Sequence, residues 1–328
     1  MNEFTDAVQL FSKVANSLET KSISLDSYLE EMVVKKCGSD LAYADNRKDA
    51  KEKYGLDFWK GIEPDKLKKG NITKRLWYSE SQQFPDFLFK VKKEEKYIGG
   101  SLLELKDSKG GSIASFNSTI PTKFKSLEEI DVINGNDLVS RIATIKDGEL
   151  AIDKHYRKFE RRCFYLVRTH RGSKKVKISI VDGSFFETVP KEHLFYQMFL
   201  NVLRSHLETK EIIIPGETLK KVKETLSHIT DQNIIAGSQI IEKASVRPRL
   251  RIMAEVHTEG NPHNNRFYPE ITEGSFNLIL ESSNETKRLI KELRGRIPNI
   301  AVFSINHKRN GEHIVFQYSR ETRLNRFQ

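Results

Sequence analysis

The chain has 328 residues, enough for one large core or one core with a smaller appended domain. Hydrophobic residues make up 38%, mean hydropathy is −0.54, and no apolar run approaches the roughly 20 residues of a membrane helix, so a membrane-spanning helix is not expected. With 55 Lys and Arg against 45 Asp and Glu, the net charge is +10, a balance that favours a polyanionic partner.

The first residues, MNEFTDAVQLFSKV, carry Glu3 and Asp6 and lack the basic-then-apolar order of a signal peptide. Residues 4–18 place Phe4, Ala7, Val8, Phe11, Val14, Ala15 and Leu18 at helical spacing. A second helix is expected to start near Ser24 or Asp26, run through SYLEEMVVKK and stop at Gly38. Residues 39–75 are polar and broken by Gly55, Gly61 and Pro64, which suggests loops with short helices. FPDFLFKV then reads as a strand, KKEEK as a turn, and YIGGSLLELKD as a second strand. SKGGS is a loop, and at least one helix is expected in SLEEIDVINGNDLVSRIATI.

Between Lys154 and Lys177 stand ten Lys and Arg against one acid, Glu160, interleaved with Tyr156, Phe159, Phe164 and Tyr165. That mixture predicts a folded basic surface able to meet phosphates. FYLVRT and KVKISIVDG read as two strands around HRGSKK, and KEHLFYQMFLNVLRSHL as an amphipathic helix. After ETLKKVKETLSHI, another helix, the order is strand (LRIMAEVHT), polar loop (NPHNNRFYPEITEGS), strand (FNLILES), helix (NETKRLIKELRGR) and hairpin (IAVFSINHKRNGEHIVFQYS). This β-β-α-β-β region, residues 209–328, can form its own small sheet or extend the first; residues 1–208 form the expected core domain. Cys37 and Cys163 lie in unrelated segments without C-x-x-C spacing, so buried thiols and a cytoplasmic location are expected.

The residues that carry chemistry are Phe84-Pro85-Asp86 and, eighteen positions after the aspartate, Glu104-Leu105-Lys106, on two segments that both read as strands. Alternation puts Glu104 and Lys106 on one face and turns Leu105 toward the core. An antiparallel neighbour would bring Asp86 to the same face. Two adjacent carboxylates make a hard-oxygen site suited to Mg²⁺, and a neighbouring lysine can orient a water for in-line attack on a phosphate.

This pattern resembles the PD-(D/E)-x-K nuclease motif of many type II restriction endonucleases and several DNA-repair nucleases. The resemblance implies an α/β, restriction-endonuclease-like mixed central sheet flanked by helices, here with a C-terminal α+β extension. It assigns metal binding to Asp86 and Glu104, a backbone carbonyl ligand to Leu105, and water activation to Lys106. An upstream helical glutamate, Glu31 or failing that Glu30, is the further metal ligand it suggests. The implied cofactor is Mg²⁺, for which Mn²⁺ can substitute; the implied activity is that of a type II restriction enzyme, cutting double-stranded DNA at a specific site as a homodimer in the cytoplasm of a prokaryotic cell.

Two loops carry candidate DNA contacts. Beyond Lys106, the Gly-rich segment offers Lys109, Ser112, Ser115 and Asn117, short or flexible groups suited to phosphates and, for Asn117, to a base edge. In the C-terminal third, Arg247 and Arg249 alternate toward a strand, and Asn264, Asn265 and Arg266 occupy the long loop, where they can read bases. His257 and His263 read as exposed loop histidines. A repair or structure-specific nuclease is the alternative within the resemblance; a non-catalytic DNA-binding protein is the alternative outside it. Walker A, G-x-G-x-x-G, G-x-S-x-G and H-E-x-x-H are absent from the sequence, which leaves ATP-driven and dinucleotide chemistry without support.

Overall fold

The computed structural model describes residues 4–29, 32–33, 41–43, 84–89, 100–108, 110–111, 113, 116–117, 121–126, 128–130, 160–170, 176–186, 191–228, 253–254 and 258–319, with backbone alone at 41–43, 88, 116–117, 191–195 and 253–254. The chain divides into two compact units. The larger combines residues 1–186 with 253–328, and the smaller spans residues 187–252. The smaller unit thus begins well before the expected boundary at residue 208, which falls inside a helix.

The larger unit is built on one mixed sheet. Strands β1 (Leu41–Tyr43), β2 (Phe87–Phe89), β3 (Leu102–Ser108), β6 (Glu160–His170), β7 (Val176–Asp182), β9 (Ser275–Glu281), β11 (Gly311–Ser319) and β10 (Ile300–His307) lie side by side in that order. β5 (Phe124–Ser126) pairs with the first residues of β6, which makes nine strands. β3 pairs parallel with β6, and β7 with β9; the other neighbours are antiparallel. The fold is therefore mixed α/β. Its C-terminal strands extend the first sheet rather than forming a second one. Within the segment LRIMAEVHT the described residues Met253–Ala254 form the short β8, paired with β4 (Phe116–Asn117).

Alternation gives this sheet two unlike faces. On one, Leu103, Phe164, Leu166, Ile178, Ile180, Phe276, Leu278, Leu280, Ile314 and Phe316 form a single core with helix α1 (Thr5–Glu19) and with α4 (Asn284–Arg296). α1 contributes the apolar row expected from its sequence, and Phe11 stacks on Phe276 at 5.2 Å. α4 starts where Ser283 accepts a hydrogen bond from Thr286 N at 3.1 Å, with Glu285 in the first turn and Arg294 and Arg296 in the last, as the helix dipole favours. The helical turn near Leu29 begins at that residue, not at Ser24 or Asp26, and buries Leu29, Met32 and Val33.

Two glycines are fixed by geometry. Gly183 ends β7 so close to the chain that an added Cβ would sit 1.9 Å from the Thr122 carbonyl oxygen. Gly311, at φ +78°, lets the β10–β11 hairpin close where His307 Nδ1 accepts from Arg309 N and Asn310 N at 3.2 and 3.0 Å.

The basic run is described at four of its ten cations, and these do not lie on a basic surface. Its four described cations, Arg161, Arg162, Arg168 and Lys177, are all buried. Arg168 bonds the Asp107 carboxylate and the carbonyls of Leu25 and Ser27, which pins the turn before Leu29. Arg162 lies over the Phe4 ring at 4.3 Å and reaches Asp182 (3.1 and 2.5 Å) and Glu281 (2.9 Å). β6 is a central strand, so its charges must be matched internally to offset desolvation. Lys154, Arg157, Lys158, Arg171, Lys174 and Lys175 lie outside the described residues. Cys163 is a buried free thiol; Cys37 lies outside the described residues.

The smaller unit contains α2 (Lys191–Thr209) and α3 (Gly216–Ser227). Among the described residues, no helix is long and apolar enough to cross a membrane.

Asp182 is fully buried, and it is the partner that makes Arg162 tolerable there. Asp182→Ala is expected to cost about 3–5 kcal/mol, the range for orphaning one member of a buried ion pair. Urea unfolding reads this as a lowered midpoint; an unchanged midpoint would show that the pair is dispensable.

Candidate metal centre

β2 and β3 pair antiparallel, with Phe87 opposite Leu103 and Leu88 opposite Leu102. Phe87, Phe89 and Leu103 enter the core, so the same register continues to set Asp86 beside Glu104 on the opposite face. The backbone ladder gives way to side chains at this point. Asp86 Oδ2 accepts from Leu105 N at 2.7 Å, and Asp86 N donates to Glu104 Oε2 at 3.2 Å. Each acid thus caps the strand that carries the other. Lys106 Nζ completes the group by donating to Glu104 Oε1 at 2.7 Å. Leu105 packs against the core from the other side, as its position in the alternation requires.

Neighbouring groups hold this arrangement in place. Phe84 and Pro85 are buried ahead of Asp86, and Lys125 Nζ stands 5.8 Å from the centre of the Phe84 ring. At the start of β3, Asp6 Oδ2 of α1 accepts from Ser101 N at 2.9 Å. Gly100 leaves the space for that contact, since an added Cβ would lie 2.6 Å from the same oxygen. Across β3, Glu104 and Lys106 register with Tyr165 and Val167 of β6, both buried. Glu104 is itself only 8% exposed, so its charge is set against a largely apolar wall.

The donor set suits a hard divalent cation: two carboxylates brought together by reciprocal hydrogen bonds, with the Leu105 peptide between Glu104 and Lys106. Among the described residues no group of three His, Cys, Asp or Glu assembles. Glu31 and Glu30, the candidates for a third carboxylate, lie outside the described residues. So do Lys109, Ser112, Ser115, Arg247, Arg249 and His257. Asn117 pairs through its backbone with Met253, and its side chain is outside the described set.

The loop at residues 258–274 differs from expectation. His263 is buried, not exposed. Its Nδ1 lies 2.8 Å from Thr169 Oγ1 and its Nε2 2.7 Å from Ser179 Oγ, so the ring bridges β6 and β7. A neutral imidazole has one donor and one acceptor nitrogen, which hydroxyls can satisfy in either sense. Burial, reinforced by the Lys177 ammonium, pushes its pKa down to about 3. Asn277 extends the network from Ser179 to Gln317. Asn261 Nδ2 donates to the Gly111 carbonyl at 2.9 Å, which ties this loop to the segment that follows β3.

The three loop candidates therefore separate. Asn264 is engaged within the loop, donating to Thr258 O and accepting from Arg266 N. Asn265 and Arg266 are exposed, with Asn265 Oδ1 accepting from Lys177 Nζ. Thr169 and Ser179 are the positions that sequence reasoning missed, and with them the buried place of His263. The polar Thr169 and Ser179 inside otherwise apolar strands were the available signal.

Comparisons of the chain with family models, with curated proteins and with solved structures found no match.

The buried histidine sets a pH dependence. Its folded pKa lies below the ordinary 6.5, so the unfolded chain takes up the proton first. Its contribution is complete above about pH 6.5 and declines as pH falls toward 3, by up to about 4–5 kcal/mol. His263→Gln should flatten the stability profile between those limits. Identical wild-type and variant slopes in urea titrations across that range would rule the latch out.

Proposed function

We propose that the chain is a Mg²⁺-dependent endonuclease of the PD-(D/E)-x-K type, hydrolysing phosphodiester bonds in double-stranded DNA on a restriction-endonuclease-like mixed sheet. The observation that carries this reading is the junction of Asp86, Glu104 and Lys106 through bonds of 2.7–3.2 Å at the end of the β2–β3 ladder. A surface hairpin that merely solvates its charges has no reason to interlock them on a face that is otherwise buried.

Asp86 and Glu104 would hold the cation together with the Leu105 carbonyl. When bound, a divalent cation supplies charge neutralisation at the phosphate and acidifies a water. Lys106, whose ammonium already sits 2.7 Å from Glu104, is the donor that orients the attacking water. Of the candidate DNA-contact residues that are described, Asn265 and Arg266 are the exposed ones.

Two observations favour the second reading, a repair or structure-specific nuclease of the same type. The C-terminal strands belong to the common sheet, so they do not form a separate recognition domain. The described cations of β6 and β7 face inward, which removes them from direct readout of bases.

Purified protein incubated with a long duplex and Mg²⁺ tests the proposal. Discrete fragments, abolished by EDTA and reduced at least about 100-fold by Asp86→Asn, Glu104→Gln or Lys106→Ala, are the expected result. A smear with the same dependences selects the structure-specific reading. Tight, salt-sensitive binding with an intact duplex would select a non-catalytic DNA-binding protein and end the nuclease proposal.

A further inference from the structure

The loop latched by His263 carries an exposed tip, Asn265-Arg266-Phe267. Among the described residues of the larger unit, Tyr28 and Phe267 are the large apolar side chains left exposed, Phe267 at 37%. Its neighbour Tyr268 takes the buried place instead, 5.6 Å from the Phe185 ring, with its hydroxyl donating to the Glu259 carbonyl at 2.6 Å. Two overlapping turns hold the tip in this form. The Asn264 carbonyl accepts from Phe267 N at 3.1 Å and from Tyr268 N at 2.9 Å, and Asn264 Oδ1 accepts from Arg266 N at 3.0 Å. His263 and Asn261 anchor these turns to β6, β7 and Gly111. The ring is therefore presented on a preset support, and little ordering is left for a ligand to impose.

The chemistry of the tip identifies what it takes. The Arg266 guanidinium stands 5.8 Å from the centre of the Phe267 ring, and among the described residues it meets no carboxylate. Asn265 gives its Oδ1 to Lys177, which leaves its Nδ2 as a donor. A ring face, a guanidinium and an amide donor side by side match a nucleobase, stacked on the ring with polar groups at its edge and its phosphate. The same loop carries Glu259, Glu270 and Glu273, so its charge alone does not hold a phosphate backbone. One ring framed by polar groups is also too small an apolar patch for a protein partner. A paired base keeps both faces inside the stack, and an unpaired base can offer one to Phe267.

We propose that Phe267, flanked by Asn265 and Arg266, is a stacking site for an unpaired base, and that the substrate class is duplex DNA with a single-stranded arm. The site belongs to the face of the candidate metal centre. Thr169, which anchors His263, pairs with Ser108, two residues or about 7 Å along β3 from Lys106. The substrate class rests on the nuclease reading; the stacking itself is measured without cleavage.

Binding of the full chain to forked DNA in EDTA is the test, with 2-aminopurine in the single-stranded arm beside the junction and a fully paired duplex of equal length as control. The fluorescence of this base falls when it stacks on a ring. The expected result is quenching on binding, and an affinity for the fork at least about tenfold above that for the paired duplex. Phe267→Leu and Phe267→Ala should each remove the quench and the preference while leaving paired-duplex affinity unchanged; Phe267→Trp should keep both. Urea midpoints close to wild type are expected for all three, because the ring is exposed. Equal affinity for fork and duplex, or a preference that Phe267→Leu leaves intact, would overturn the proposal. Mg²⁺-dependent cutting of the same fork is scored separately. Cleavage without a Phe267-dependent preference sinks the stacking site alone, and the preference without cleavage sinks the nuclease reading alone.

Discussion

Alternation along the central strands sends one set of side chains into an oily layer beneath α1 and α4 and the other set to a polar face. Because β3, β6, β7 and β9 are internal strands, neither face readily offers water to a charge, and each charged group has to be matched inside the protein. The internal pairings follow from that constraint. Arg162 is drawn to Asp182 and Glu281, Arg168 to Asp107 and two carbonyls, and Lys177 to Asn265 and the His263 carbonyl. Asp86, Glu104 and Lys106 obey the same rule at the end of the β2–β3 ladder. What distinguishes that group is that two carboxylates meet in it, Glu104 bonded to the Lys106 ammonium and Asp86 to the Leu105 amide. A cation held there, as proposed, would join an arrangement already in place and would spend little binding energy on ordering side chains.

The polar face also explains how a loop without regular structure is kept in position. His263 spans Thr169 and Ser179, while Asn261 holds Gly111 three residues beyond the end of β3. Thr169 lies two residues along β6 from Val167, the register partner of Lys106. The histidine latch and the acid pair are thus anchored on the same face of adjacent strands. The exposed Asn265 and Arg266 are carried by the latched loop.

Much of this was legible in the sequence, for physical reasons. The periodicity of α1, the apolar β6 and β7, and the strand–helix–hairpin order from Phe276 to Ser319 are local signals strong enough to survive tertiary packing. The pairing of Asp86 with Glu104 was also readable, because alternation fixes the face once two strands are neighbours. Other features depend on neighbours that a linear reading does not contain. A run of lysines and arginines resembles a solvated surface until β6 is found between β3 and β7. His263 resembles a loop residue until two hydroxyls are found beneath it. The destination of the C-terminal strands turned on β7 pairing parallel with β9, a contact between residues almost a hundred positions apart.

The central claim, that Asp86 and Glu104 form a divalent cation site, is tested most directly by Mn²⁺ binding to the full chain, followed by electron paramagnetic resonance without DNA. The account predicts saturable binding that Mg²⁺ competes away and that Asp86→Asn combined with Glu104→Gln abolishes, with the fold retained by circular dichroism. Mn²⁺ binding of equal affinity in the wild type and the double variant would place the cation elsewhere and contradict the account.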